Sequence, residues 1–326
     1  MTRIAVLDDW QGIAETATDW SAVRAQAELV FFRDAFTSAD AVVAALQDFD
    51  IVLAMRERTR LHADVISRLP RLKLLSFTGA RNAAVDIPAC TAAGITVCNT
   101  TGTPSSNGTA ELALGLLLAS ARHLVTGDVE MRAGRFQQNL PLGMELAGKT
   151  LGLLGLGNIG ARVARYAQAL EMKVLAWSQN LTDERATAVG VTRVEKSALL
   201  AQSDVISIHL VLSERTRHIV GAADIAQMKP GALLINTSRG PHVDTDALLP
   251  ALHANRIRAA IDVYDSEPLP ADHPLRSAPN TLLSPHLGYV TADNMPALYR
   301  ASAENLAAWL SGSPIRVLNP EVVART

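Results

Sequence analysis

Residues 150–165 read Thr-Leu-Gly-Leu-Leu-Gly-Leu-Gly-Asn-Ile-Gly-Ala-Arg-Val-Ala-Arg, an apolar run followed by a glycine-rich turn and then helical periodicity. The glycines at 155, 157 and 160 stand in G-x-G-x-x-G spacing. Each has a physical task in a strand-turn-helix unit. Gly155 permits the tight turn, Gly157 lets the backbone approach a pyrophosphate, and Gly160 lets helix and strand pack closely. The helix start then offers free N–H groups and the positive end of its dipole to phosphate oxygens. The motif alone is weak, because glycine turns also serve packing; between a strand and a helix it points to a dinucleotide.

The next strand candidate should end in the residue that reads the adenosine ribose. It ends Trp177-Ser-Gln-Asn180, with no carboxylate there and no arginine nearer than Arg185. Ser178 or Asn180 remains to bond a ribose hydroxyl. The lack of a cation favours NAD over NADP without excluding the latter.

Working outward, short β-branched runs alternate with helical patterns almost throughout. Ile4–Leu7, Ala27–Phe32, Ile51–Ala54, Leu74–Phe77 and Ile95–Cys98 read as strands, with amphipathic helices such as Ala39–Leu46 and Ala63–Ser67 between them. The Gly/Pro/Ser/Thr-rich stretch 99–108 reads as a connection, followed by a helix over about 109–122 and a polar, glycine-punctuated stretch from Gly127 to Gly148. A second strand series follows at 151–154, 174–177, 205–209, 233–236, 259–263 and 282–284, and a last helix at 295–310. This alternation predicts an α/β fold of two doubly wound parallel-sheet domains. The expected division is 104–285 for a Rossmann cofactor domain, and 1–103 with 286–326 for a substrate domain.

The chain has 326 residues, 48% of them hydrophobic and 19% charged, enough for two compact cores. A net charge of −2 with both signs interspersed leaves no footprint for nucleic acid or anionic lipid. Cys90 and Cys98 are too few for a disulfide framework and lack neighbours for a metal, so reduced structural thiols are expected. The first residues reach Asp8-Asp9 too soon for a secretory leader, and the longest apolar run, 112–121, is short of the ~20 residues of a membrane span. A cytoplasmic protein with no membrane partner is expected.

Ligands of an open parallel sheet bind beyond the carboxyl ends of its strands. In the central domain those ends carry the glycine turn, His209, Thr237-Ser-Arg-Gly240, the segment from Tyr264 to Glu267-Pro268, and Pro285-His-Leu-Gly288. Arg239, Glu267 and His286 thus emerge at one edge. A guanidinium binds a carboxylate with two parallel hydrogen bonds. An imidazole titrates near neutrality and can give a proton to a carbonyl oxygen as hydride arrives. A neighbouring carboxylate orients the ring and favours its charged form. His62, His123, His218, His242, His253 and His273 read as surface or helix-end residues. No His/Cys/Asp cluster has metal-ligand spacing, so no metal is expected.

With these residues in hand, the sequence resembles the D-isomer specific 2-hydroxyacid dehydrogenases. The likeness is carried by Thr78-Gly-Ala-Arg-Asn-Ala-Ala-Val-Asp86, Gly108-Thr-Ala-Glu-Leu-Ala-Leu114 and Glu145 through Gly160. It continues in Met228 through Gly240, Asp262-Val-Tyr-Asp-Ser-Glu-Pro268 and Pro285-His-Leu-Gly288. The resemblance implies Rossmann and flavodoxin-like domains around a cleft, and a homodimer formed through the cofactor domain. It implies that Arg239 binds the substrate carboxylate and carbonyl, that His286 is the acid/base, that Glu267 tunes it, and that the N–H groups of Ala80 and Arg81 hold the other side of the carboxylate. It also implies cofactor contacts from Thr109, Gly155, Gly157, Asn158, Ile159, Gly160, Ser178, His209, Thr216, Thr237, Ser238, Asp262 and Gly288. The sequence departs from the family pattern at Val211 (often proline), at Phe136 (often tryptophan) and at Ala80-Arg81 (more usually Val-Gly), which adds a cation to the substrate loop.

The expected activity is hydride transfer between NAD(P)H and a small 2-keto acid of the glyoxylate or hydroxypyruvate kind. A cofactor-sensing, corepressor-like module of the same fold is the alternative, and Glu267 argues against a formate-type enzyme. The absence of an extra regulatory domain before Thr326 argues against a feedback-controlled phosphoglycerate enzyme.

Overall fold

Residues 1–100 and 106–323 are described by a computed structural model of the chain. It divides into two compact units, one of 1–104 with 291–326 and one of 105–290. The connection around 103/104 lies outside the described residues. The second break falls after Val290, later than the expected 285/286. The reason is local: the backbone N–H groups of His286, Leu287 and Gly288 all donate to Asp262, which holds this stretch to the unit of the glycine turn.

The first unit holds five parallel strands: β1 (Thr2–Val6), β2 (Ala27–Phe31), β3 (Ile51–Ala54), β4 (Leu74–Phe77) and β5 (Thr96–Asn99). Their order β2-β1-β3-β4-β5 is that of flavodoxin-like sheets. Ile51–Ala54 and Leu74–Phe77 are buried along their whole length, as strands covered on both faces must be. The helix Asn294–Leu310 belongs to this unit and buries Met295, Leu298, Tyr299 and Leu306. Cys90 and Cys98 are free and buried, and burial pushes their thiols up to about 12 and about 11.

The second unit carries seven parallel strands: β6 (Thr150–Leu154), β7 (Lys173–Trp177), β8 (Thr192–Arg193), β9 (Val205–Ile208), β10 (Ala232–Asn236), β11 (Ile257–Ile261) and β12 (Thr281–Leu283). The order β12-β11-β10-β9-β6-β7-β8 reverses beside β6, the switch point of a Rossmann sheet. Neighbouring strand residues face opposite cores. Leu153, Val205 and Leu233 pack beneath the helices Ser106–Ala121 and Asn158–Ala169, whereas Leu154, Ile206 and Leu234 join a core with Leu199, Leu248 and Leu252. The stretch read as polar and glycine-punctuated, 127–148, opens inside a helix, Leu124–Arg132, that buries none of its residues. Its apolar side chains lack inward-facing periodicity because they face out. No single helix among the described residues is long and apolar enough to cross a membrane.

In the first unit Asp8 follows β1 in the left-handed region, φ 60°, and is 1% exposed. Thr59 Oγ1 donates to its carboxylate at 2.9 Å and Arg58 Nη1 to its carbonyl at 2.6 Å. Burial nevertheless dominates and raises the carboxyl to about 6. A folded-state pKa above the unfolded value means that stability falls as pH climbs from about 4 to about 6, where the unfolded chain ionises first. Asp8→Asn removes that loss. The variant should match the parent near pH 4 and exceed it above pH 6 by up to ~3 kcal/mol. Paired urea titrations from pH 4 to 8 check this; an offset independent of pH would show that Asp8 carries no such cost.

Candidate active site

The turn after β6 is built by steric necessity. Gly155 has φ 105°, and a Cβ there would lie 2.5 Å from the carbonyl oxygen of His209. A Cβ at Gly160 would lie 2.2 Å from the Gly155 carbonyl oxygen, so the helix can begin only with glycine at that position. At Gly157 a Cβ would meet nothing within 4 Å. Gly157 is also the N-cap of the helix Asn158–Ala169 and supplies no side-chain cap for its first N–H groups. Among the described residues, His209 Nδ1 and Thr237 Oγ1, both just beyond strand ends, are buried without a hydrogen-bond partner. An open glycine shelf, a helix start and unsatisfied polar atoms fit a dinucleotide.

The sequence-predicted cofactor residues divide by what their side chains already hold. Ser178 is half-buried just beyond β7, with neither a carboxylate nor a guanidinium among residues 178–180. His209 follows β9 with Nε2 on Ser207 Oγ at 2.9 Å, and burial draws it down to about 4, keeping it neutral. Thr216 closes its own turn through Val211 O at 2.8 Å. Ser238 Oγ donates to Leu210 O at 2.5 Å. Thr109 Oγ1 donates to Gly288 O at 3.0 Å. Asn158 and Ile159 open the glycine-turn helix.

Asp262, just past β11, is fully buried and organises the neighbouring loop. One carboxylate oxygen accepts from Ser284 Oγ at 2.5 Å and Leu287 N–H at 2.7 Å, the other from Gly288 N–H at 3.0 Å. Burial raises its carboxyl, against these hydrogen bonds. The knot places His286 at φ 54°, turning its ring back toward the β11 loop. There His286 Nδ1 meets Glu267 Oε2 at 2.6 Å, while Glu267 Oε1 accepts the Tyr264 N–H at 2.8 Å. Both oxygens of the carboxylate are thus directed, and His286 Nε2 points elsewhere. The Tyr289 ring stands edge-on to the imidazole at 5.4 Å. Arg239 follows β10, the strand beside β11, and its Nη1 donates to Ser238 O at 2.7 Å. The structure therefore brings Glu267 and His286 into contact and sets Arg239 beyond the adjacent strand.

Ala80 and Arg81 lie in the first unit, exposed beyond β4, where Asn99 Nδ2 donates to the Ala80 carbonyl at 3.0 Å. Gly79 before them has φ 97°, with the Arg56 guanidinium against its α-carbon. Among the described residues no group of three or more His, Cys, Asp or Glu side chains converges to hold a metal. Tyr264, Ser284 and Tyr289 carry no sequence signal, because their contacts run to residues brought near only by strand pairing. Of the surface and helix-end readings, His242 takes the second: it ends the 3-10 turn Gly240–His242 and is fully buried, against the Arg239 carbonyl, not on the surface.

A Rossmann sheet with a glycine turn and a paired histidine and glutamate at its carboxyl edge defines a dinucleotide-dependent oxidoreductase. Residues 114–288 match the family model described as D-isomer specific 2-hydroxyacid dehydrogenase, NAD binding domain. A glyoxylate reductase of Aeropyrum pernix is 38% identical over 273 residues, 81% of each chain. A hydroxypyruvate reductase of Thermotoga maritima is 39% identical over 246 residues, 74% of this chain and 79% of that one. The crystal structure of a phosphoglycerate oxidoreductase from Vibrio cholerae superposes with a TM-score of 0.89 at 36% identity, covering 95% of this chain and 99% of that one. The chain belongs to the D-isomer specific 2-hydroxyacid dehydrogenase family and carries its NAD-binding domain.

The shelf at Gly157 separates packing from binding. Gly157→Ala adds a methyl to open space, so the melting temperature should stay put while NADH binding weakens about tenfold or more, ~1.4 kcal/mol. Gly160→Ala should lower both. Calorimetric titration alongside thermal melts reads the difference; unimpaired NADH binding by G157A would move the pyrophosphate off this turn.

Proposed function

We propose that the protein reduces a small 2-keto acid, of the glyoxylate or hydroxypyruvate kind, to the 2-hydroxy acid, with His286 as acid/base and Arg239 as carboxylate anchor. The observation that carries this reading is the 2.6 Å contact of His286 Nδ1 with Glu267 at the edge that also bears the glycine turn. With Nδ1 engaged by a carboxylate, Nε2 is the nitrogen left to give a proton to the carbonyl oxygen. Glu267 cannot swing away, since the Tyr264 N–H holds its second oxygen. Arg239 receives the carboxylate bidentately, which sets the carbonyl carbon relative to the imidazole. Bound nicotinamide supplies the hydride. The N–H groups of Ala80 and Arg81 serve the carboxylate from the substrate loop.

NADH is the preferred cofactor in this reading, because a 2′-phosphate would meet no cation at 178–180. Cofactor contacts are assigned to the glycine turn, to Ser178 just beyond β7, and to His209 and Thr237, each with a buried polar atom that has no partner among the described residues. Thr109, Thr216, Ser238 and Asp262 act through the backbone they fix.

The reading extends to a homodimer. Leu124, Val125, Val129, Met131, Phe136 and Leu142 are all exposed within nineteen residues of the second unit, Phe136 at 67% and Leu142 at 96%. Two of them, Val125 and Leu142, line a cavity of about 520 Å³ together with Met144, Leu282, Arg258 and Asn280. A protruding apolar segment next to a hollow of mixed polar and apolar lining suits a two-fold pairing of identical copies.

Purified protein should oxidise NADH with glyoxylate or hydroxypyruvate, and a chain that turns over no 2-keto acid would be a binding module instead. His286→Ala should slow the chemical step ~10²-fold or more while NADH affinity stays within about twofold. Arg239→Lys should raise KM for the keto acid with less effect on kcat, since the fork geometry is lost. A lysine variant of parental KM would place the carboxylate elsewhere. Light scattering should give twice the chain mass for the parent and a single chain for F136D/L142D; a monomeric parent removes the dimer.

A further inference from the structure

Every functional histidine singled out in the sequence stands at a strand end, but the most completely enclosed one does not. His242 is 0% exposed and ends the short 3-10 turn Gly240–His242 directly after Arg239. Its Nδ1 lies 3.2 Å from the Arg239 carbonyl oxygen. A carbonyl oxygen only accepts, so this contact puts the ring proton on Nδ1. Burial lowers the imidazole below its ordinary range, against the Val211 and Arg239 carbonyls it faces, and Nε2 has no hydrogen-bond partner among the described residues.

The same carbonyl oxygen receives two more donors, the backbone N–H of His242 at 3.2 Å and Asn236 Nδ2 at 2.9 Å. The other end of the Asn236 amide accepts the Ser238 N–H at 3.0 Å. On the far side, Gly240 has no room for a side chain: a Cβ there would stand 2.1 Å from the Tyr264 carbonyl carbon. The peptide leaving Arg239 is therefore clamped by donors from β10 on one side and by the His242 ring on the other. It is pressed against the loop that ends in Glu267. The α-carbon from which the guanidinium projects has little freedom left.

We propose that His242 is a positioning residue: its Nδ1–H fixes the Arg239 backbone so that the guanidinium meets the substrate carboxylate with both nitrogens in register. This rests on the reading of Arg239 as the carboxylate anchor. Bidentate pairing is sensitive to placement on the scale of half an ångström, so loosening the clamp acts on substrate capture before it acts on proton transfer. His242 bonds the Arg239 carbonyl, whereas His286 and Glu267 bond each other, and no change at the acid/base pair is expected.

Steady-state kinetics with NADH and glyoxylate test the proposal in H242L, H242N, R239Q and the R239Q/H242L pair. In H242L the keto-acid KM should rise about tenfold, with kcat within about threefold and the NADH KM within about twofold. H242N, whose amide Nδ2 reproduces the Nδ1 donor, should recover most of that rise. In the pair, H242L should add little to R239Q, because both act on one interaction. An unchanged KM in H242L, or a rise that H242N leaves uncorrected, overturns the proposal and leaves His242 as a space-filling residue. If R239Q itself leaves KM unaltered, the anchor reading fails and takes the proposal with it. If R239Q raises KM and H242L does not, only the proposal falls. Should H242L not fold, H242M, flexible enough to fill the same volume without a donor, carries the comparison with H242N.

Discussion

A parallel sheet buried on both faces leaves its chain one place to do chemistry, the edge where strands give way to loops. Every strand residue of β10 is buried, and neighbours such as Leu233 and Leu234 serve opposite cores. A polar side chain within the strand is tolerated only when its hydrogen bonds are satisfied inside the protein, as those of Asn236 are, and so has nothing left to offer a ligand. The groups that would work are consequently displaced to the first residues beyond β6, β9, β10, β11 and β12. Because these strands run the same way, the displaced groups share one edge.

That edge is fixed more by backbone capture than by contacts among the working side chains. Asp262 spends its whole carboxylate on Ser284, Leu287 and Gly288, and its carbonyl takes the His286 N–H. The cost of burying a carboxylate is offset only in part by three donors, one of them a short hydroxyl contact. The result is a histidine in a left-handed conformation, which a freely chosen loop would avoid, presenting Nδ1 to Glu267. Likewise the Arg239 carbonyl gathers three donors. In both places a buried polar atom holds the main chain, and the main chain aims the side chain.

The segment 124–142 obeys the opposite rule. Its helix buries nothing and its large apolar groups face outward beside a hollow of the same unit. In a monomer that exposure carries a solvation cost of roughly 25 cal/mol per Å² of apolar surface, which pairing with a second copy would remove.

The strand-helix alternation, the glycine turn and the residue types beyond each strand were legible in the sequence alone. Those signals are local: periodicity, a glycine required where Cβ meets a carbonyl, and a charged residue next to an apolar run. Arg239, Glu267 and His286 could be read as strand-end groups for the same reason. Their mutual geometry could not, because the 2.6 Å contact spans nineteen residues and exists only once β12 pairs with β11. The helix at 124–132 was missed because a helix that faces outward has no inward apolar period to detect. His242 read as a surface or helix-end residue in the sequence. Only the packing of the Arg239 turn against the Tyr264 loop enclosed it, since burial is a property of what lies across the fold and not of the neighbours along the chain.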